Sequence, residues 1–152
     1  MSPFSPASIH AVCPACRREI RVPAARVADR PRCPACKSLV FDGRPVVLDD
    51  ASFDAFLGRT NLPLLLDVWA PWCGPCLGFA PVIADAAREY AGRIVVAKLD
   101  SDASPGAASR LKVRSIPTLV LFQDGRELAR QAGAVSAAAL RSWVSSRLVT
   151  PN

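Results

Sequence analysis

The rhythm of apolar and polar positions changes near residue 45. Before it, apolar side chains are scattered (Ile20, Val22, Val27, Leu39, Val40, Phe41) among Pro, Arg and Cys. After it, short apolar runs alternate with amphipathic stretches, the signature of an α/β layer fold. The pattern predicts strands over 46–48, 63–69, 94–99, 118–122 and 126–131, and helices over 52–57, 73–90, 103–111 and 136–148. Asp124-Gly125 suits a hairpin turn, because both positions tolerate positive φ, and Ser136 suits the N-cap of the last helix. Within the long helix, Gly78 costs about 1 kcal/mol of propensity relative to alanine and Pro81 is expected to introduce a kink. Trp143 is read as core of the final helix.

Composition narrows the class. The chain has 152 residues, 51% hydrophobic, with mean hydropathy +0.22, enough to bury a core. Its longest apolar blocks, 62–66, 94–97 and 119–122, fall far short of the roughly 18 residues of a membrane helix. Residues 1–10 carry no Lys or Arg and no apolar run, so they read as a flexible extension rather than a secretory leader, and a reducing cytoplasm is the expected location. The net charge of +6 is uneven: residues 1–44 hold eight basic side chains against three acidic, or +5, and the remainder eleven against ten, or +1.

The six cysteines divide the same way. Cys13-Pro14-Ala15-Cys16 is echoed by Cys33-Pro34-Ala35-Cys36, with sixteen residues between the pairs, the doubled spacing of a zinc site. Each pair aims two sulfurs at one point, and together they supply a tetrahedron of thiolates. So small and polar a module over 11–44 needs a metal to fold. Two disulfides or four free thiols are the alternatives, disfavoured by the spacing and the expected compartment. His10 lies three residues before Cys13, but four cysteines already saturate the metal, so it reads as a solvated tail residue. The zinc thiolates could also act as an oxidation sensor. The basic excess lacks the interleaved aromatics of a nucleic-acid reader, so nucleic acid is not expected as a partner.

The third pair differs. Trp72-Cys73-Gly74-Pro75-Cys76 stands where a buried strand hands over to a helix, placing Cys73 near the helix N-terminus. There the free backbone N–H groups and the helix dipole favour a thiolate, the attacking species in disulfide exchange. Cys76, one turn on, is expected to be more buried and to resolve the mixed disulfide. The 45–150 segment holds no other cysteine and no histidine to complete a metal site.

With these residues in view, 45–150 resembles the thioredoxin family. The strongest match is Asp67-Val68-Trp69-Ala70-Pro71-Trp72-Cys73-Gly74-Pro75-Cys76; Ser115-Ile116-Pro117-Thr118 resembles the family's cis-proline loop and Ala132-Gly133-Ala134 its third substrate-facing loop. The four-cysteine ribbon ahead of it, followed by Val40-Phe41-Asp42-Gly43, is similar to the thioredoxin-2 class of bacterial thioredoxins. The resemblance implies a thioredoxin fold, a central mixed sheet flanked by helices on both faces, with a zinc ribbon bound through Cys13, Cys16, Cys33 and Cys36. It implies Cys73 as nucleophile, Cys76 as resolving thiol, Asp67 as a buried acid exchanging a proton with Cys76, and Lys98 near that acid. Trp72, Gly74, Pro75, Ile116, cis-Pro117, Gly133 and Ala134 would form the substrate-docking face, with Trp69 as packing or a lid. The implied activity is reduction of protein disulfides, recharged by an NADPH-dependent thioredoxin reductase; the chain itself needs no organic cofactor. Gly-Pro between the cysteines belongs to the reducing end of the family, near −270 mV against about −120 mV for the strongest oxidants, a gap worth about 7 kcal/mol. Three departures bear on this: Leu77 removes a local positive charge, Gly78 replaces a larger apolar residue, and Ser115 replaces a common glycine.

Overall fold

A computed structural model describes residues 7–148. Its centre is a five-stranded sheet in the order β3 (Val46–Leu48), β5 (Val95–Asp100), β4 (Leu64–Trp69), β6 (Thr118–Gln123), β7 (Arg126–Ala132). The first three strands run parallel, and β6 and β7 are each antiparallel to their neighbours. Position in the sheet follows from sequence: β4 is continuously apolar except for Asp67 and lies in the middle, whereas β7, with no buried residue, lies at an edge.

Helices cover both faces. Phe53 and Phe56 of α1 (Phe53–Arg59) and Ala107 of α3 (Pro105–Leu111) pack on Leu64, Leu66 and Val68. On the other side, α2 (Gly74–Tyr90) and α4 (Ala137–Arg147) pack on Leu65, Val96, Leu119 and Leu121. Helix α2 runs through Pro81 to Tyr90, as the pattern over 73–90 predicts. Trp143 is half-buried against this second core. Asp124 and Gly125 both take positive φ, 54° and 76°, in the hairpin turn, and the Ser136 hydroxyl accepts the Ala139 N–H at 3.1 Å.

The ribbon is not a loose appendage. Strands β1 (Ser8–Val12) and β2 (Glu19–Pro23) form a hairpin, followed by a 3-10 turn over Ala24–Asp29. Residues 8–10, expected within a flexible extension, thus belong to β1: Ile9 is buried with Val22, Val40 and Leu62, and the His10 N–H donates to Asn61 Oδ1 at 2.9 Å. The Ala7 carbonyl accepts the Ala24 N–H at 3.0 Å; residues 1–6, the remainder of that extension, and 149–152, with the end of the domain drawn over 45–150, lie outside the described residues. Asn61 Nδ2 also donates to the Ser8 carbonyl, Val12 joins the core with Leu48 and Phe56, and a Cβ on Gly92 would collide with Val27. These contacts gather at the segments that enter β4 and β5 and along α1. The cysteine pair at 73 and 76 lies past the exit of β4, about 20 Å away along the strand.

Candidate active site and metal cluster

Two turns of the same construction carry the ribbon's sulfurs. In the first, the Arg17 N–H donates to the Cys13 carbonyl (3.0 Å) and the Cys13 N–H to the Arg18 carbonyl (2.8 Å); in the second, Lys37 donates to Cys33 (2.8 Å) and Cys33 to Ser38 (2.8 Å). Arg17 and Lys37 are left-handed, φ 69° and 68°, which turns the chain back over each pair. Their side chains donate to the Pro14 and Pro34 carbonyls, each at 3.0 Å. The two turns face each other, with Cys13 Sγ 3.5 Å from Cys36 Sγ, Cys16 Sγ 3.6 Å from Cys33 Sγ, and all four within 4.8 Å. Hydrogen bonds from Ser38 push the Cys36 thiol down to about 6. Four sulfurs so close can share one metal ion, which would neutralise the repulsion between thiolates. His10 is not part of the cluster.

The third pair is built on a helix end. Cys73 is the N-cap of α2, extended at φ −86°, and Pro75 pre-sets the first turn. The Cys76 N–H donates to Cys73 Sγ at 3.2 Å, and the two sulfurs form a disulfide with Cα atoms 5.2 Å apart. Both residues are buried, Cys76 the more so (2% exposed against 5%). Cys73 Sγ also lies 3.8 Å from the Ile116 carbonyl oxygen.

Behind the pair, Asp67 is 1% exposed and neither carboxylate oxygen has a hydrogen-bond partner. Burial pushes its carboxyl up to about 6, opposed by the charge of Lys98. Lys98 stands in register with Asp67 across the β4–β5 pair, but its Nζ lies 4.3 Å from the centroid of the Trp69 ring. Trp69 and Ile116 pack against Ala70, Cys73 and Cys76.

Around the disulfide, Trp72 is 70% exposed and Gly74, Pro75 and Ala134 are also exposed. The Ile116–Pro117 peptide is cis, the Thr118 hydroxyl donates to the Ser115 carbonyl (2.6 Å), and the Gly133 N–H donates to the Pro117 carbonyl (2.8 Å). The cis-proline loop and the 132–134 loop are thereby joined beside the cysteines. Gly133 reaches this position at φ 90°, which favours glycine. Leu77, 53% exposed, extends the apolar face.

Two residues escaped sequence reasoning. Asp102 accepts the Trp72 indole N–H at 2.6 Å, held by a loop in which Asp100 Oδ1 accepts the Asp102 N–H at 2.9 Å. Arg17, beyond its part in the knuckle, donates to the Val47 carbonyl at 3.2 Å and lies over the Phe56 ring, 5.2 Å from its centroid. Neither partner is near in sequence, and only the acidic run after β5 marks where the tryptophan's acceptor could be sought.

Comparison with known proteins agrees with this geometry. The model of the family described as thioredoxin matches residues 44–146. Thioredoxin C-3 of Corynebacterium nephridii is 38% identical over 137 residues, 90% of this chain and 94% of the relative, more than 45–150 alone can supply. The thioredoxin of Haemophilus influenzae is 38% identical over 101 residues, 66% of this chain and 94% of its own. The chloroplastic M-type thioredoxin of Spinacia oleracea is 41% identical over 101 residues, 66% of this chain and 56% of the relative. A matched family model over two thirds of the length, on a sheet that ends in a capped cysteine pair beside a cis-proline, places this chain in the thioredoxin family.

Proposed function

We propose that the chain reduces disulfides of partner proteins in the cytoplasm and is itself recharged by an NADPH-dependent thioredoxin reductase. The observation that carries this is Cys73 at the N-cap of α2, its sulfur receiving the Cys76 N–H and bonded to Cys76. In the reduced protein that N–H and the helix dipole stabilise a Cys73 thiolate. The thiolate attacks one sulfur of a substrate disulfide, forming a mixed disulfide and expelling the substrate's other thiolate. Asp67 takes the proton of Cys76, whose sulfur then attacks Cys73 Sγ. The second substrate thiolate leaves, two protons complete the substrate thiols, and the Cys73–Cys76 disulfide remains. The reductase returns two electrons from NADPH.

Trp72, Gly74, Pro75, Ile116, Pro117, Gly133 and Ala134 serve as the docking face, with the Ile116 backbone positioned to pair with an extended substrate segment. Lys98 sets the charge near Asp67. The metal of the ribbon is zinc: a tetrahedral thiolate site with Zn–S of about 2.3 Å spaces its sulfurs about 3.8 Å apart, within the range in which these four sulfurs lie. Cys13, Cys16, Cys33 and Cys36 would hold it, and its role there is to fold the ribbon.

The test is insulin reduction coupled to thioredoxin reductase and NADPH. The wild-type protein should consume NADPH in proportion to insulin thiols released, and Cys73→Ser should lose at least about a thousandfold, the nucleophile being gone. Inactive wild type, or turnover that survives Cys73→Ser, overturns the reading.

A further inference from the structure

Among the described residues, the buried side-chain oxygens without a partner belong to Asp67 and Ser104. Asp67 is the one beside a cation. Lys98 stands in register with it on the neighbouring parallel strand, so both side chains leave the same face of the sheet. A four-carbon stem spans that separation, and a buried carboxylate is the strongest acceptor nearby. The ammonium nevertheless lies over Trp69, two residues further along β4 and therefore on the same face. The ring itself is wedged against Ala70, Cys73 and Cys76, which fixes where the cation can rest.

We propose that Trp69 is a positioning residue that parks the Lys98 ammonium on its ring and keeps it from pairing with Asp67, so that the carboxyl can take and return a proton at Cys76. The role of that proton rests on the exchange mechanism above; the placement of Lys98 does not. A carboxylate in contact with a lysine is a weaker base and takes a proton from Cys76 less readily. The same lysine on an aromatic face still supplies its field, more weakly. Among the described residues, the charge that acts on Asp67 is that of Lys98. From α2 the buried stripe over this face begins with Cys76 and continues through Phe79 and Ile83, while Asp85, Arg88 and Glu89 are exposed. Strand β6 presents Leu119 in register with Asp67, α4 buries Leu140 and Val144 with Arg141 and Arg147 outside, and Asp100 of β5 is engaged with the Asp102 and Ala103 N–H groups.

The experiment tracks the side-chain carboxyl of Asp67 by carbon NMR through a pH titration of the full-length, metal-loaded, reduced protein. Trp69→Leu, which removes the ring, should lower the midpoint by about one unit or more, the effect of an opposite charge brought into contact. Trp69→Phe, which retains an aromatic face, should stay near wild type. In a Lys98→Met background, Trp69→Leu should no longer lower the midpoint. An unmoved midpoint in Trp69→Leu, or an equal fall with and without Lys98, overturns the proposal. If Trp69→Leu does not fold, Lys98→Met decides alone: a rise of less than about one unit supports a parked cation, and a larger rise means that the lysine was on the carboxylate and overturns the proposal. The titration uses neither insulin nor reductase, so parallel insulin assays of the wild-type protein separate failure here from failure of the proposed function.

Discussion

Three cysteine pairs of identical spacing lie in this chain, and they end up as two different devices. In the ribbon, Cys-Pro-Ala-Cys is succeeded by a left-handed residue, Arg17 or Lys37, and the chain folds back so that both sulfurs project to one point. In the α/β unit, Cys-Gly-Pro-Cys is succeeded by Leu77 in a helix, so the first sulfur stays at the helix end and the second turns inward. The backbone handedness of the residue after the second cysteine therefore separates the turns of the four-cysteine cluster from the redox pair, rather than the two residues between the cysteines alone. The surroundings match: the knuckles meet two more sulfurs, whereas the pair meets a buried acid and a cis-proline loop.

The largest effect tests the knuckles. Cys33→Ser should abolish metal binding, removing a contribution of about 10 kcal/mol for a structural zinc. Val12, Leu62 and Phe56 would lose their cover, and hydrogen exchange should accelerate through β1 and β2 and also at the entrances of β4 and β5. A ribbon that opens while the sheet keeps full protection would show the two halves to be independent.

Next comes the acid behind the redox pair. Because Asp67 titrates near 6 in the folded protein and near 3.9 when unfolded, the native state binds the extra proton between those values, and stability falls as pH rises from about 4 to about 6. Asp67→Ala should remove that slope and raise stability at pH 8 by about 3 kcal/mol at most, less any cavity cost. Urea unfolding at pH 4, 6 and 8 reads this; an unchanged slope in the variant would assign the titration elsewhere.

A paired substitution sharpens the comparison itself. Lys37→Val puts a β-branched residue at φ 68° and should cost about 1–2 kcal/mol together with some metal affinity. Leu77→Val, at the equivalent place after Cys76, should cost only about half a kcal/mol of helix propensity. Equal costs would mean that backbone handedness is not what divides the two devices. The smallest effect is Gly78→Ala: a Cβ there meets nothing within 4 Å, so thermal unfolding should report a gain of about 0.5–1 kcal/mol.

Much of this was legible along the chain. Strand β4 announced itself by an apolar run interrupted only at Asp67, the helices by their period, the hairpin by Asp124-Gly125, and the three cysteine pairs by spacing. What local pattern could not carry was the docking of one half on the other. Ser8 to His10 look like tail because their order comes from Asn61, fifty-one residues from His10, and from the buried neighbours of Ile9. Asp102 was missed for the same reason: its partner Trp72 lies thirty residues away. The position of Lys98 opposite Asp67 is set by strand register, but its lodging on Trp69 is a matter of rotamers.

Arg17 has a further consequence for solubility. Strand β3 borders the sheet, is three residues long, and shows Val47 69% exposed, the kind of border on which a foreign strand can seat itself. The guanidinium donates to the Val47 carbonyl from outside, occupying an acceptor that an incoming chain would need. The four-cysteine module thus also caps part of an edge that an incoming strand would otherwise use.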